Sequence, residues 1–326
     1  MSAAPWSTEG YDPAAEGSAF DRRIAEREAA GFVPDLRRAV RCEHFYKSFW
    51  RDPHFVDLYL GPLVAAYKDA LARWVGPSAS VLDVGCGAGY FALELARAGH
   101  RVRAIDVSAA CIDVAKRTLA ENPFVDGFGQ LEYQCADFAQ IRGSFDAVLF
   151  SGSLHHFPHV DRVVERAAAL IRPGGLLLCY EPIHEAFREA DAAQAFLIRA
   201  LLSLAGCWYE DPATLGIDGA ALDNAVQAGT AAVHREYVTE RDASEPAGQS
   251  PHDLESSGTE ILQALRAHFS ELLYRPMVSF NHRMLGGLRG PDAVVHQIAN
   301  LLSAYERLGL ERGQLGPNCF LFVGRK

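Results

Sequence analysis

Apolar and polar positions follow a helical pattern in the first 77 residues. Asp21 and Asp35 each precede a stretch with apolar residues at helical spacing, so two helices are predicted to begin at these capping residues. A third helix is predicted to follow Pro53 and to be broken near Gly61 and Pro62. The segment before Asp21 is rich in Ala, Ser, Gly and Pro and is expected to be a mobile tail.

A different pattern begins near residue 80. Short apolar runs such as SVLDV and FDAVLF alternate with amphipathic segments. In one of these segments Val160, Val163 and Val164 fall on one helical stripe. The runs are too apolar for a sheet with one exposed face, so both faces are predicted to be covered. This alternation predicts an α/β fold with a Rossmann-like, doubly wound sheet.

The alternation stops after Glu181. Two helix-like stretches, at about 184–206 and 218–235, lead to a polar loop, and a further helix is predicted from Asp253. Another strand, a helix and a last strand then complete the chain. The expected organisation is a tail over residues 1–20, an N-terminal helical section over 21–77, a core over 78–181 and 253–326, and a cap insertion over 182–252.

The charge balance narrows the classes of partner. The chain has 31 Lys and Arg against 41 Asp and Glu, a formal net charge of −10, and no basic patch is evident in the sequence. A net negative protein repels phosphate backbones and anionic lipids, so neither nucleic acid nor a membrane is an expected partner. Between Glu236 and Glu260 acids dominate, with Arg241 as the one basic residue. This segment is either a solvated loop or a lid that favours neutral or cationic substrates.

Cysteine spacing bears on metal binding and location. The seven cysteines are dispersed and form no C-x-x-C pair, so no metal site is predicted. An odd, scattered set is typical of reduced thiols, and the N-terminus lacks a signal-peptide pattern, so a cytoplasmic location is expected. The apolar stretch from Ala192 to Trp208 carries Arg199 midway, which favours a buried or interface helix, and a homodimer, over a membrane span.

Glycines and an acid mark the ends of the first two predicted strands. Gly85, Gly87 and Gly89 alternate directly before a helix, where a tight turn and free N–H groups favour an anionic ligand. Asp106 closes the second strand, 21 residues after Gly85, and suits a contact to ribose hydroxyls. A nicotinamide dinucleotide is one hypothesis, but Tyr90 stands where the third glycine of its usual loop falls. Another nucleotide-type ligand is therefore favoured.

The segment VLDVGCGAGYFALELA resembles the first motif of class I S-adenosylmethionine-dependent methyltransferases. The later motifs follow in the family's order: Asp106, residues 136–138, FDAVLFSGSLHHF and LIRPGGLLLCYEP. The resemblance is close over about 100 residues, from 80 to 181, and looser over the strands that follow residue 271. Within the fourth-strand motif, SGSL replaces the (Asp/Asn)-Pro-Pro-aromatic element typical of enzymes that methylate nucleic-acid amino groups.

The resemblance implies a seven-stranded sheet, S-adenosylmethionine as cofactor, and methyl transfer to O, N or C of a small organic acceptor, in a biosynthetic role. Two alternatives stay open: a nicotinamide-dependent oxidoreductase on a similar sheet, and a non-catalytic module that binds S-adenosylmethionine. For the cofactor, the resemblance implies that Asp106 holds the ribose, Asp137 the adenine amino group and Asp83 the amino end. The other residues expected at the cofactor are Gly85, Cys86, Gly87, Val107, Phe138 and Ser151.

Histidines near the end of the fourth strand are candidates for proton transfer, because imidazole is the usual general base near neutral pH. His155 and His252 are predicted as catalytic bases, and His156 and Tyr209 as contacts to the acceptor. Tyr46, on an N-terminal helix, is predicted to present an aromatic face to the sulfonium. The competing interpretations are structural: the two adjacent histidines support their loop, and Tyr46 belongs to the core.

Overall fold

The computed structural model describes residues 10–42, 48–215, 221–239 and 250–326. The helices within these ranges are α1 (Pro13–Ala29), α2 (Pro53–Trp74), α3 (Tyr90–Arg97), α4 (Ala109–Ala120), α5 (Val160–Leu170), α6 (Glu189–Leu204), α7 (Leu222–Thr239), α8 (Gly258–His268), α9 (Asn281–Met284) and α10 (Asp292–Glu311). The strands are β1 (Ser80–Val84), β2 (Arg101–Asp106), β3 (Gln130–Cys135), β4 (Phe145–Ser151), β5 (Ile171–Pro182), β6 (Ser270–Met277) and β7 (Cys319–Arg325).

The described strands form one seven-stranded sheet in the order β3-β2-β1-β4-β5-β7-β6. The first five pair in parallel, and β7 runs antiparallel to both β5 and β6. Strand order reverses between β1 and β4, which is the switch point where ligands bind in sheets of this kind. The predicted α/β, Rossmann-like fold is confirmed.

Apolar side chains cover both faces of the sheet, as the sequence pattern predicted. Val81 and Leu149 belong to a cluster that includes residues of α2, α3 and α4, whereas Leu82 and Val148 belong to a second cluster with α5 and α8. Neighbouring residues of one strand point to opposite faces, so this division follows from the pleat.

A third apolar cluster joins α6 and α7 to α9 and α10. Phe187 stacks on Tyr237 with ring centroids 4.7 Å apart, and the buried Arg199 pairs with Glu236 at 2.7 Å between Nη1 and Oε2. Arg199 is therefore an ion-paired residue of a packed helix. No helix in the described ranges has both the length and the apolar character to cross a bilayer.

The N-terminal segment differs from its prediction. Helix α1 begins at Pro13, where Asp12 caps it through Oδ1, and Glu16 and Ala19 are buried, so the predicted mobile tail is wrong for residues 13–20. A proline at the first helical position favours this start. Residues 1–9 lie outside the described ranges. Asp21 lies inside α1, and its carboxylate caps the distant helix α4 through the N–H of Ala110 at 2.9 Å.

Other predicted helix boundaries are also corrected. Asp35 begins no helix; its buried carboxylate instead accepts two 2.7 Å hydrogen bonds from Arg97. Helix α2 continues through Pro62, which lies on its exposed side, so the predicted break near Gly61 and Pro62 is wrong. Helix α8 begins at Gly258, later than the predicted start at Asp253. Its cap is Ser257, which forms a capping box with Glu260.

Candidate active site

A cavity lies beyond the carboxyl ends of β1, β2 and β4, at the switch point of the sheet. The space inside it, with the solvent-open mouth included, is about 1170 Å³. Its walls come from the loops after these strands and from α1. The predicted cofactor residues that line it are Asp83, Gly85, Cys86, Gly87, Asp106, Val107, Asp137, Phe138 and Ser151.

The glycine-rich loop after β1 leaves backbone open to this cavity. Gly85 and Gly87 have φ angles of +71° and +52°, in the region that favours glycine. A Cβ on Gly85 would lie 2.5 Å from Cβ of Ser153, whereas a Cβ on Gly87 would meet nothing within 4 Å. Gly85 therefore allows close packing of two loops, and Gly87 presents bare backbone to the space where a ligand fits.

Asp106 is fixed by two backbone groups of the cavity wall. Its Oδ2 accepts a hydrogen bond from the N–H of Gly87 at 2.7 Å, and its Oδ1 accepts one from Ser108 at 2.8 Å. Burial raises the pKa of Asp106, and these hydrogen bonds only partly offset it. Each carboxylate oxygen can accept a second hydrogen bond, so the side chain can still bind a pair of hydroxyls.

Asp83 is buried at the end of β1 and lines the same cavity. Burial, and then the negative charge of Asp106, raise the pKa of Asp83 to about 7. A buried carboxyl with an elevated pKa gains most from a cationic partner. The amino group of a bound amino acid moiety would provide that charge.

The remaining predicted cofactor residues lie at the carboxyl ends of β3 and β4. Asp137 accepts a 2.9 Å hydrogen bond from the N–H of Ala139, which holds the loop after β3. Phe138 is almost fully buried, and its ring centroid lies 5.7 Å from that of Phe150. Phe138 is therefore a core residue that also lines the cavity. The hydroxyl of Ser151 lies 2.9 Å from that of Tyr67.

Helix α1 and the residues just before it supply a wall that the sequence did not indicate. Tyr11, Glu16 and Phe20 all line the cavity. Glu16 Oε1 lies 2.9 Å from Nδ1 of His156, which lines the cavity too. The one signal that could have located this wall is the Asp12-Pro13 pair, which is typical of a helix start.

The structure brings neither His155 nor His252 to the cavity wall. His155 Nδ1 lies 2.6 Å from Oε2 of Glu181, whose other oxygen accepts hydrogen bonds from the backbone N–H groups of residues 153 and 154. This arrangement supports the loop, as the competing interpretation held. His252 accepts a hydrogen bond from the N–H of Asp12 at 2.9 Å, so it anchors the start of α1.

The two predicted tyrosines also lie elsewhere. Tyr209 packs with the third apolar cluster, and its hydroxyl donates to Oε1 of Glu210 at 3.0 Å, away from the cavity wall. Tyr46 lies outside the described residues, as do residues 240–249 of the acidic segment.

Within the described ranges, the side chains of His155, His156 and Asp253 have the spacing of a metal site, with ligand atoms within 4.8 Å of one another. Nδ1 of each histidine is already within hydrogen-bond distance of a glutamate, and the two rings are 4.2 Å apart. Of the three residues, His156 lines the cavity.

Comparison with known proteins connects this cavity to a family. Residues 82–179 match the family model described as "Methyltransferase domain". The chain carries a class I S-adenosylmethionine-dependent methyltransferase domain. The cofactor of this methyltransferase domain is S-adenosylmethionine, and the cavity fits it: open backbone at Gly87, a fixed carboxylate at Asp106 and a buried acid at Asp83.

Two curated relatives are similar to this methyltransferase domain. A ubiquinone/menaquinone biosynthesis C-methyltransferase of Brucella suis is 26% identical over 167 residues, which is 49% of this chain and 59% of that protein. A ubiquinone biosynthesis O-methyltransferase of Cupriavidus pinatubonensis is 34% identical over 129 residues, 39% of this chain and 51% of that protein. The chain thus spans between half and three fifths of these relatives.

Among solved structures, that of the [4+2]-cyclase SpnF is similar with a TM-score of 0.50 and 17% sequence identity. The match covers 99% of this chain and 97% of that one. At this identity the similarity shows a shared fold.

Proposed function

We propose that the protein is an S-adenosylmethionine-dependent methyltransferase that acts on a small organic acceptor in a biosynthetic pathway. The observation that carries this proposal is the convergence of the predicted cofactor residues. All nine of those that the structure describes line one cavity, at the switch point of a matched methyltransferase domain.

The proposed roles are those that the family resemblance implies, and the position of these residues along the wall supports them. Asp106 binds the ribose hydroxyls, Asp137 the adenine amino group and Asp83 the amino end of the methionine moiety. Gly87 and its neighbours lie along the cofactor through backbone contacts. When bound, the cofactor supplies a methyl group on a sulfonium, which is already activated for displacement. The main tasks left to the chain are to position the acceptor and to exclude water.

A small acceptor is consistent with how the cavity is closed. Helix α1 covers one side, and both Phe20 and Trp50 contribute aromatic surface to the lining. The curated relatives are named for methylation at carbon and at oxygen, which supports these two acceptor atoms. We also propose that residues 182–252 cap the acceptor side, where the hydroxyl of Ser250 reaches within 3.2 Å of Nδ1 of His156.

The test is incubation with S-adenosylmethionine carrying a labelled methyl group and a library of small hydroxyl, amine and acidic C–H compounds. A labelled product in mass spectrometry supports the proposal. Calorimetric binding of S-adenosylmethionine without any product would indicate a binding module. Absence of binding, or tight saturable binding of NADH, would contradict the proposal. Because SpnF shares only the fold with this chain, product detection also decides whether the chemistry is methyl transfer.

We propose a cytoplasmic homodimer as the working form. Leu197, Leu201 and Leu204 are exposed along α6, and Leu301 is exposed on the neighbouring α10. The two helices are linked by a hydrogen bond between the side chains of Tyr305 and Gln194. The seven cysteines are all free, as expected in a reducing compartment. Light scattering of the wild type and of Leu201→Glu tests the dimer, since a monomeric wild type would contradict it.

A further inference from the structure

A carboxylate and an imidazole meet inside the cavity from distant parts of the chain. Glu16 lies on α1 and His156 lies in the loop after β4, and both side chains are buried while lining the cavity. Glu16 Oε1 lies 2.9 Å from Nδ1 of His156. Phe20, one turn further along α1, contacts the imidazole edge-to-face with centroids 5.6 Å apart. These contacts fix the ring in two directions.

The surroundings favour an ionised carboxylate at this position. Burial opposes ionisation of Glu16, but the polar contact with His156 and the charge of that ring outweigh burial and lower the pKa of Glu16. An ionised Glu16, with Oε1 2.9 Å from Nδ1 of His156, favours the proton of the neutral ring on that nitrogen. The hydroxyl of Ser250, 3.2 Å from the same nitrogen, can act as an acceptor there, so this tautomer leaves the lone pair on Nε2. The ring then has the arrangement of a general base held by an acid.

We propose that His156 is the catalytic base of the methyl transfer and that Glu16 is its positioning residue. This inference rests on the proposed function. As the acceptor atom forms its bond to the methyl carbon, its proton moves to Nε2 of His156, and the electron pair of the broken carbon–sulfur bond stays on sulfur. The imidazolium is stabilised by Glu16 until the proton is released to water.

The pair of Glu16 and His156, called the dyad below, also indicates the class of acceptor. A neutral amine can attack a sulfonium before it loses a proton, whereas a hydroxyl or an acidified C–H must give up its proton in the reaction. A base inside the cavity therefore points to a hydroxyl or an acidic carbon as the acceptor atom.

The groups around His156 are consistent with this role. Asp106 lies close enough for its charge and that of His156 to interact, and the pKa of Tyr11 is raised by burial and by Glu16, so its hydroxyl stays neutral. The ring of His155 lies 4.2 Å away, and Asp253 approaches from the segment before α8. A metal held by these last two residues and His156 is the competing arrangement. The base is favoured because neither His155 nor Asp253 lines the cavity.

The first test needs no acceptor. Nitrogen-15 spectra of histidine-labelled protein, assigned with His156→Asn, report which ring nitrogen carries the proton. We expect the Nδ1–H tautomer of His156 in the wild type and its loss in Glu16→Gln. The matched control is Glu26→Gln, an exposed position on the same helix, which should leave the spectrum unchanged. An Nε2–H tautomer in the wild type, or no response to Glu16→Gln, would overturn the proposal.

The second test uses the acceptor found in the labelled-methyl library. We expect His156→Asn to lower kcat about 10²- to 10⁴-fold, and Glu16→Gln at least about tenfold. Without the carboxylate the imidazolium is less stable, so the acid limb of the kcat/KM profile should move to lower pH in Glu16→Gln. An unshifted profile would assign Glu16 a merely structural role and overturn the dyad, although wild-type methyl transfer would still stand.

The effect of metal removal on turnover distinguishes the proposed base from the competing metal site. We expect wild-type turnover to be unchanged after treatment with EDTA. A loss of turnover that added Zn²⁺ restores would assign His156 to a metal and contradict its role as base. Failure of the wild type to bind S-adenosylmethionine would instead count against the proposed function itself.

Discussion

Two walls of the same cavity differ in how their residues are distributed along the chain. The cofactor wall consists of the loops after β1, β2, β3 and β4, and each loop carries its residues within a short motif. The second wall is α1, whose Glu16 reaches a partner 140 residues away in the sequence. A short motif can be recognised from local spacing, whereas a pairing across 140 residues exists only once the chain has folded.

The largest expected effect concerns the cofactor wall. Asp106→Ala removes the carboxylate proposed to bind the ribose and the two backbone hydrogen bonds that shape the loop. Each charge-assisted hydrogen bond contributes about 1.5–3 kcal/mol, so affinity for S-adenosylmethionine should fall at least about 100-fold in calorimetry. Asp113→Ala, an exposed acid on α4, serves as the control. Equal affinity of Asp106→Ala and wild type would show that the cofactor does not bind at this wall.

The next effect concerns how the N-terminal segment is attached. Asp35 and Arg97 pair in the buried interior, with Arg97 only 1% exposed in its side chain. Removal of one partner of a buried pair costs about 3–5 kcal/mol, so Asp35→Ala should lower the free energy of unfolding by an amount of this order in urea titration. Asp126→Ala, at an exposed position, should change it little. A loss in Asp35→Ala as small as that in Asp126→Ala would mean that this segment is only loosely attached.

A third effect depends on pH. The free protein holds a proton on Asp83 below about pH 7, and an ammonium group favours the ionised form. Affinity for S-adenosylmethionine should therefore rise roughly tenfold between pH 6 and pH 8, because the ionised fraction rises by about that factor around such a pKa. In Asp83→Asn the pH dependence should disappear. A flat wild-type profile would place the amino group elsewhere.

The same shift has a consequence for stability. The folded protein retains the Asp83 proton to a higher pH than the unfolded chain does. Its contribution therefore decreases as pH rises from the usual carboxyl range through about 7. Thermal unfolding at several pH values should show this decrease in wild type and a smaller one in Asp83→Asn.

The smallest effect separates backbone strain from contact with the cofactor. Gly87 and Gly174 both have positive φ, and a Cβ on either meets nothing within 4 Å. Alanine at each position should cost about 1–2 kcal/mol of stability in thermal unfolding. Only Gly87→Ala should also weaken binding of S-adenosylmethionine, because Gly87 lines the cavity. Equal affinities in both variants would show that the cofactor does not approach Gly87.

These two walls also show what the sequence could predict. The fold and the cofactor wall could be predicted from the sequence, because alternating apolar runs and a glycine loop are local features. Asp21 and Asp35 were misassigned for the opposite reason. Each resembles a helix cap, but their carboxylates bind Ser108 and Arg97, more than 60 residues away. His156 was predicted as an acceptor contact, yet its pairing with Glu16 depends on the position of α1, which no local pattern determined.

One measurement tests the central claim most directly: a crystal structure of the protein with S-adenosylhomocysteine, the demethylated cofactor. We expect the ribose on Asp106, the amino group toward Asp83, and the sulfur facing the space lined by Glu16 and His156. A cofactor bound outside this cavity, or a sulfur that faces away from the Glu16–His156 pair, would contradict it.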